Sequence, residues 1–162
     1  MRNGNHHVIG NGSPKSDLDD EELKSIVGEA LSNIPSESRV LALIPDKTRD
    51  DNTHILFPAA VDILFERGVA KFDALVAQGT HGPMTGSDKL AKIGDPKNFD
   101  GTIFDHKWDD PNELVTIGEL SREQVREITG GLLDESIPLS INRLLAPGVY
   151  DIVLVFGATV PH

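Results

Sequence analysis

Apolar positions along this chain follow two rhythms. Across "DLDDEELKSIVGEALSNI", Leu23, Ile26, Val27, Ala30 and Leu31 recur at helical spacing. Asp19 and Glu22 ahead of them have the form of a capping box, so the pattern predicts an amphipathic helix. In "RVLALIPD" the rhythm changes to an unbroken apolar run, Val40 to Ile44, which fits a strand buried on both faces of a parallel sheet. A polar turn, "DKTRDDNT", then leads into "HILFPAAVDILFERG", a second helix in which Pro58 is expected in the first turn and Gly68 just past the end. The same grammar repeats, with "FDALVAQ" as strand, "GTHGPMTGS" as loop and "DKLAKIG" as a short helix closed by Gly94.

Beyond Asp95 the pattern is weaker. Strands are expected at "TIFDH" and "LVTIG", a helix at "SREQVREIT", and two further strands at "PLSINRLL" and "YDIVLVFG". Strands alternating with helices predict an α/β domain: a mostly parallel sheet with helices on both faces, a Rossmann-like three-layer arrangement with right-handed crossovers. One such domain is expected over residues 17–162, behind a flexible start at residues 1–16.

Composition narrows the function more than the fold. The 162 residues are 38% hydrophobic and 25% charged, a globular balance, and the net charge of −11 argues against binding nucleic-acid phosphates or an anionic membrane. No apolar run approaches the ~20 residues of a membrane span, and the first residues carry no signal-peptide core, so a cytoplasmic location is expected. Without cysteine there is no disulfide, thiolate nucleophile or cysteine metal site.

Candidate chemistry lies at the carboxyl ends of the expected strands, where ligands bind in open α/β sheets. "IPDKTRDDNT" sets Asp46, Lys47, Thr48 and Arg49 ahead of a helix, and a guanidinium there can hold a carboxylate in two hydrogen bonds. The alternative is local: Asp46 and Asp50 capping the turn while Arg49 pairs with them at the surface. "AQGTHGPMTG" delivers Thr80 and His81 between Gly79 and Gly82, and "VFGATVPH" ends on His162. Two histidines and an arginine at one sheet edge suit proton transfer on opposite faces of a carbon centre, hence racemisation or epimerisation of a small acid. His6, His7 and His54 are weaker candidates, and the cluster Asp105, His106, Asp109 and Asp110 of "DHKWDDP" reads more simply as an exposed acidic turn than as a metal site. No P-loop, GxGxxG, GxSxG or EF-hand pattern occurs.

In this order, "IPDKTRDDNT", "VAQGTHGPMT", "FDHKWDDP", "SINRLL" and "VFGATVPH" resemble the N-terminal domain of the nickel-dependent lactate racemase family, from about Arg39 onward. In that family a nickel-pincer nucleotide accepts a hydride from the α-carbon of a 2-hydroxy acid while a histidine takes the hydroxyl proton. The resemblance implies that Arg49 orients the substrate carboxylate and that His81 and His162 are the two catalytic acid/base residues. It implies that Asp46 orders the cofactor or the loop; from their position alone Asp46, Thr48 and Gly79 are expected at the cofactor, with none of these residues ligating the metal. Gly82 stands where the family often has a basic residue. The family's cofactor-linked lysine and nickel-ligating histidine follow the "PH" motif and are not in this sequence. The expectation is therefore an excised N-terminal domain that alone binds the nickel-pincer nucleotide poorly and does not turn over. Its expected partners are the 2-hydroxy acid, the rest of the parent protein and, through an uncovered apolar face, a second copy. The competing readings are a non-catalytic module that binds a small anion at the same strand ends, and an interaction domain whose acidic surface docks a basic partner.

Overall fold

In the computed structural model, residues 8–10, 12, 13, 15 and 17–158 are described. The flexible start expected over residues 1–16 falls largely outside them. Helix α1 (Asp20–Leu31) begins as its sequence predicts: the Asp19 carboxylate accepts from the Glu22 amide at 2.9 Å, and Glu22 returns the bond to the Asp19 amide at 3.0 Å. Strand β1 (Arg39–Ile44) is the continuous apolar run. It pairs in parallel with β2 (Lys71–Val76), from Arg39 opposite Lys71 to Ile44 opposite Val76. Strand β3 (Ile103–Asp105) lies beyond β2, and β6 (Ile152–Val155) lies on the other side of β1. The parallel α/β sheet expected from the sequence thus has the order β3-β2-β1-β6.

That order explains how the faces are covered. The chain steps outward from β1 to β2 through α2 (Thr53–Glu66) and from β2 to β3 through α3 (Gly86–Ile93). Right-handed crossovers in one direction put both helices on one face. There Val40, Ala42, Ile44, Phe72, Ala74 and Val76 meet Leu31 of α1, Phe57 and Leu64 of α2, and Ile93 of α3. Phe57 is fully buried and stacks on Phe72 at 5.2 Å, a side chain whose burial contributes about 2–3 kcal/mol. The path from β3 to β6 runs back across β1, so its right-handed course lies on the opposite face. This segment carries β4 (Leu114–Leu120), α4 (Arg122–Ile128) and β5 (Ile137–Asn142); β4 and β5 form a separate antiparallel ribbon, bulged between Thr116 and Gly118. Helices α1, α2 and α3 share one face, and the segment that carries α4 and the ribbon approaches the other at Leu43 and Leu75.

Two boundaries differ from the sequence reading. Helix α2 starts at Thr53, which leaves Pro58 inside it and not in its first turn. A proline there cannot donate to the His54 carbonyl. The structure lays Gly94 over that oxygen so closely that a Cβ at position 94 would stand 2.2 Å from it. Helix α3 starts at Gly86, ahead of "DKLAKIG", because the Thr85 hydroxyl accepts from the Asp88 amide at 3.1 Å in a second capping box.

Candidate active site

Strand order reverses between β1 and β6, and a crevice at such a switch point is where an open α/β sheet accommodates a ligand. A cleft of about 670 Å³ lies there, walled by Leu43 of β1, by Pro45, Thr48, Arg49, Asp50 and Asp51 after it, and by Phe156, Gly157 and Ala158 after β6. The turn carrying Arg49 is fixed on both sides. On one side Asp46, only 5% exposed, accepts from the Thr48 amide at 2.9 Å and the Thr48 hydroxyl at 2.6 Å. On the other, Lys92 of α3 donates to the Arg49 carbonyl at 2.8 Å and to the buried side chain of Asp51 at 2.8 Å, while Asp51 accepts from the Thr53 amide at the start of α2 at 2.9 Å. Burial pushes the Asp51 carboxyl up, but the bonds from Lys92 and Thr53 outweigh it and hold the group below the usual carboxylate range. The arginine is thus exposed on a rigid turn, and among the described residues its guanidinium forms no ion pair. The alternative in which Asp46 and Asp50 occupy Arg49 is not what the turn does.

The second carboxylate oxygen of Asp46 holds His81, with Nδ1 to Oδ2 at 2.5 Å. Burial raises the Asp46 carboxyl, yet the hydrogen bonds from Thr48 and then His81 bring it down to about 2. Asp46 is therefore ionised at neutral pH and can only accept, so His81 Nδ1 carries the hydrogen of that bond and Nε2 has no hydrogen-bond partner among the described residues. The His81 side chain is 55% exposed and can reach a ligand. Its backbone is pinned as well: the His81 amide donates to the Gln78 carbonyl at 3.0 Å, and the buried Gln78 side-chain amide donates to the His81 carbonyl at 3.2 Å. Gly79, at φ +57°, makes the left-handed step between them.

Of the residues singled out from sequence, Asp46, Thr48, Arg49, Gly79 and His81 gather at the ends of β1 and β2. The Thr48 hydroxyl is spent on Asp46, which makes it a support for that carboxylate. His162 lies outside the described residues, as do His6 and His7; β6, which leads toward His162, runs beside β1, and Gly157 and Ala158 reach the cleft. The sequence reading missed the role of Asp46 as the partner of His81, and it missed Gln78 and Lys92 altogether. For Asp46 a signal existed, since a carboxylate and a histidine at adjacent parallel strand ends are within reach; for the other two no sequence signal stands out.

The acidic cluster after β3 is dispersed by its partners. Asp105 pairs with Lys89 at 2.6 Å, Asp110 accepts from the Asn112 amide at 2.9 Å, and His106 Nδ1 faces the Asn142 amide at 3.2 Å. Among the described residues no three His, Asp or Glu side chains come together as a metal site, and no helix is long and apolar enough to cross a membrane.

Comparisons with known proteins bear on this geometry. The family described as the lactate racemase N-terminal domain matches residues 20–162. A crystal structure of a protein from Thermotoga maritima superposes with a TM-score of 0.82 at 32% identity, covering 90% of this chain and 34% of that one. The lactate racemase apoprotein from Thermoanaerobacterium thermosaccharolyticum superposes with a TM-score of 0.58 at 24% identity, covering 91% of this chain and 37% of that one, and supports the fold alone. The chain thus spans about a third of the length of either structure. Comparison with curated proteins gives no match.

Proposed function

The chain belongs to the lactate racemase N-terminal domain family, and from that premise we propose that it is the part of a 2-hydroxy-acid racemase or epimerase that anchors the substrate carboxylate and moves its hydroxyl proton. The observation that carries this reading is the Asp46–His81 pair beside the turn that displays Arg49. Arg49 binds the carboxylate of lactate or a larger 2-hydroxy acid through its guanidinium fork. His81 then takes the hydroxyl proton at Nε2, while Asp46 holds Nδ1–H and offsets the positive charge that the ring acquires. In this proposal His162 serves the opposite face of the α-carbon.

The cleft suits the organic portion of a nickel-pincer nucleotide. Gly157 and Ala158 open its wall beyond Phe156, and Arg49 offers a cation to an anionic group on a lining that also carries Asp50 and Asp51. Thr48, Arg49 and the residues after β6 would hold that group, and the metal would need donors from outside the described residues. When bound, the cofactor would supply the acceptor for the hydride of the α-carbon. The residues of this chain orient the acid and handle its proton.

The test is the interconversion of D- and L-lactate by the protein of the complete reading frame, charged with cofactor and followed by chiral chromatography. Arg49→Ala is expected to raise KM most, and His81→Ala to lower kcat by roughly 10²- to 10⁴-fold. A His81→Ala variant with unchanged kcat would falsify the reading. Loss of binding and turnover in equal measure in His81→Ala would favour the small-anion module.

A further inference from the structure

A second cavity, of about 410 Å³, adjoins the cleft and shares Leu43 and Ala77 with it. It lies between the sheet and the β4–β5 ribbon, and Leu75, Trp108, Leu114, Ile141 and Leu145 are among its apolar lining. Among the described residues, no Asp, Glu, Lys or Arg lines it. One hydrogen bond joins its two sides: His106, just past β3, faces buried Asn142 at the end of β5, with Asn142 Nδ2 at 3.2 Å from His106 Nδ1. The Asn142 orientation is fixed because its oxygen accepts from the Leu144 amide at 3.0 Å, so its NH₂ group points to His106 and donates. His106 Nδ1 is then the acceptor of that bond. The cavity is thus without carboxylate, ammonium or guanidinium groups and of a size used for small molecules, roughly 300–1,000 Å³. The methyl group of lactate, about the ~30 Å³ of a water molecule, would leave nearly all of it empty.

We propose that this cavity receives the C3 substituent of the substrate, and that the preferred acids carry a branched aliphatic or aromatic group, not the methyl of lactate or the second carboxylate of a dicarboxylic acid. The inference rests on Arg49 as the carboxylate anchor: an acid held there projects its substituent past Leu43 and Ala77. Burying a second carboxylate without a cation would be strongly unfavourable. Burying the three additional carbons of 2-hydroxy-4-methylpentanoate should tighten binding over lactate by about 10- to 50-fold.

The experiment titrates the chain, labelled at its methyl groups and at arginine Nε, with lactate, malate and 2-hydroxy-4-methylpentanoate, followed by NMR. The expected result is that lactate and 2-hydroxy-4-methylpentanoate both shift the Arg49 Nε signal, and only the latter shifts the methyls of Leu75, Leu114 and Leu145. Ser140→Phe, at an exposed cavity-lining position, is expected to remove the 10- to 50-fold advantage and leave lactate binding unchanged. Equal affinity for lactate and the larger acid, with Arg49 shifted and the cavity methyls still, would overturn the inference and leave the anchor standing. So would malate binding as tightly as 2-hydroxy-4-methylpentanoate. No Arg49 shift with any acid would remove the anchor, and the inference with it.

Discussion

Replacing Asp46 by Asn probes the site at its most constrained point. The Asp46 carboxylate accepts both Thr48 donors on one oxygen and His81 Nδ1–H on the other. An asparagine oxygen can keep the two Thr48 bonds, so the turn should survive at a cost of about 1 kcal/mol. The NH₂ group that replaces Oδ2 is a donor, however, and faces His81 Nδ1, which must then accept. A hydrogen bond to a charged group contributes about 1.5–3 kcal/mol, and at 1.4 kcal/mol per tenfold that favours the Nδ1–H form in the native protein by roughly 10- to 150-fold. In Asp46→Asn the preference reverses, and Nε2, the atom proposed to take the proton, carries a hydrogen instead. Long-range ¹H–¹⁵N correlation of the His81 ring at pH 8 reads the tautomer directly, and urea unfolding checks that the fold is retained. A native ring already in the Nε2–H form, or a tautomer that Asp46→Asn leaves unchanged, would refute the reasoning.

Other consequences concern the frame around the site. Gly94→Ala would put a Cβ 2.2 Å from the His54 oxygen at a residue with φ +72°, and should cost about 3 kcal/mol or more, seen as a Tm lowered by several degrees in calorimetry. Lys92→Met leaves Asp51, whose side chain is 3% exposed, without its cation, and should destabilise by about 3–5 kcal/mol in urea unfolding while loosening the Arg49 turn. The Asp46 carboxyl lies below its unfolded value, at about 2 in the folded chain, so the stability it contributes is present above pH ~4 and is lost as pH falls toward 2. Between those values the native protein should lose on the order of 1 kcal/mol more than Asp46→Asn, after allowance for solvent screening. Parallel urea curves for the two proteins across that range would contradict this.

Much of the framework is legible in local sequence because its causes are local. The Asp19–Glu22 capping box and the apolar run from Val40 to Ile44 announce α1 and β1 within a few residues. Pro58 misleads, because the carbonyl it leaves free is accommodated by Gly94, a residue brought there only when α2 and α3 pack. The β5 segment reads correctly as a strand, but its partner is β4 and not the main sheet, a pairing decided by tertiary contacts. The same division holds at the site. Arg49 and His81 stand out by residue type and position, whereas the bond from His81 to Asp46 and the grip of Lys92 on the Arg49 carbonyl join separate loops and become visible only in the folded chain.

Whether Asp46 and His81 act as one proton-handling unit is read by a double-mutant cycle on D- to L-lactate interconversion. If Asp46 works through His81, the variant carrying both Asp46→Asn and His81→Ala should be no slower than His81→Ala alone, because the tautomer no longer matters once the ring is gone. Rate losses that multiply across the two substitutions would show two independent roles and contradict the account.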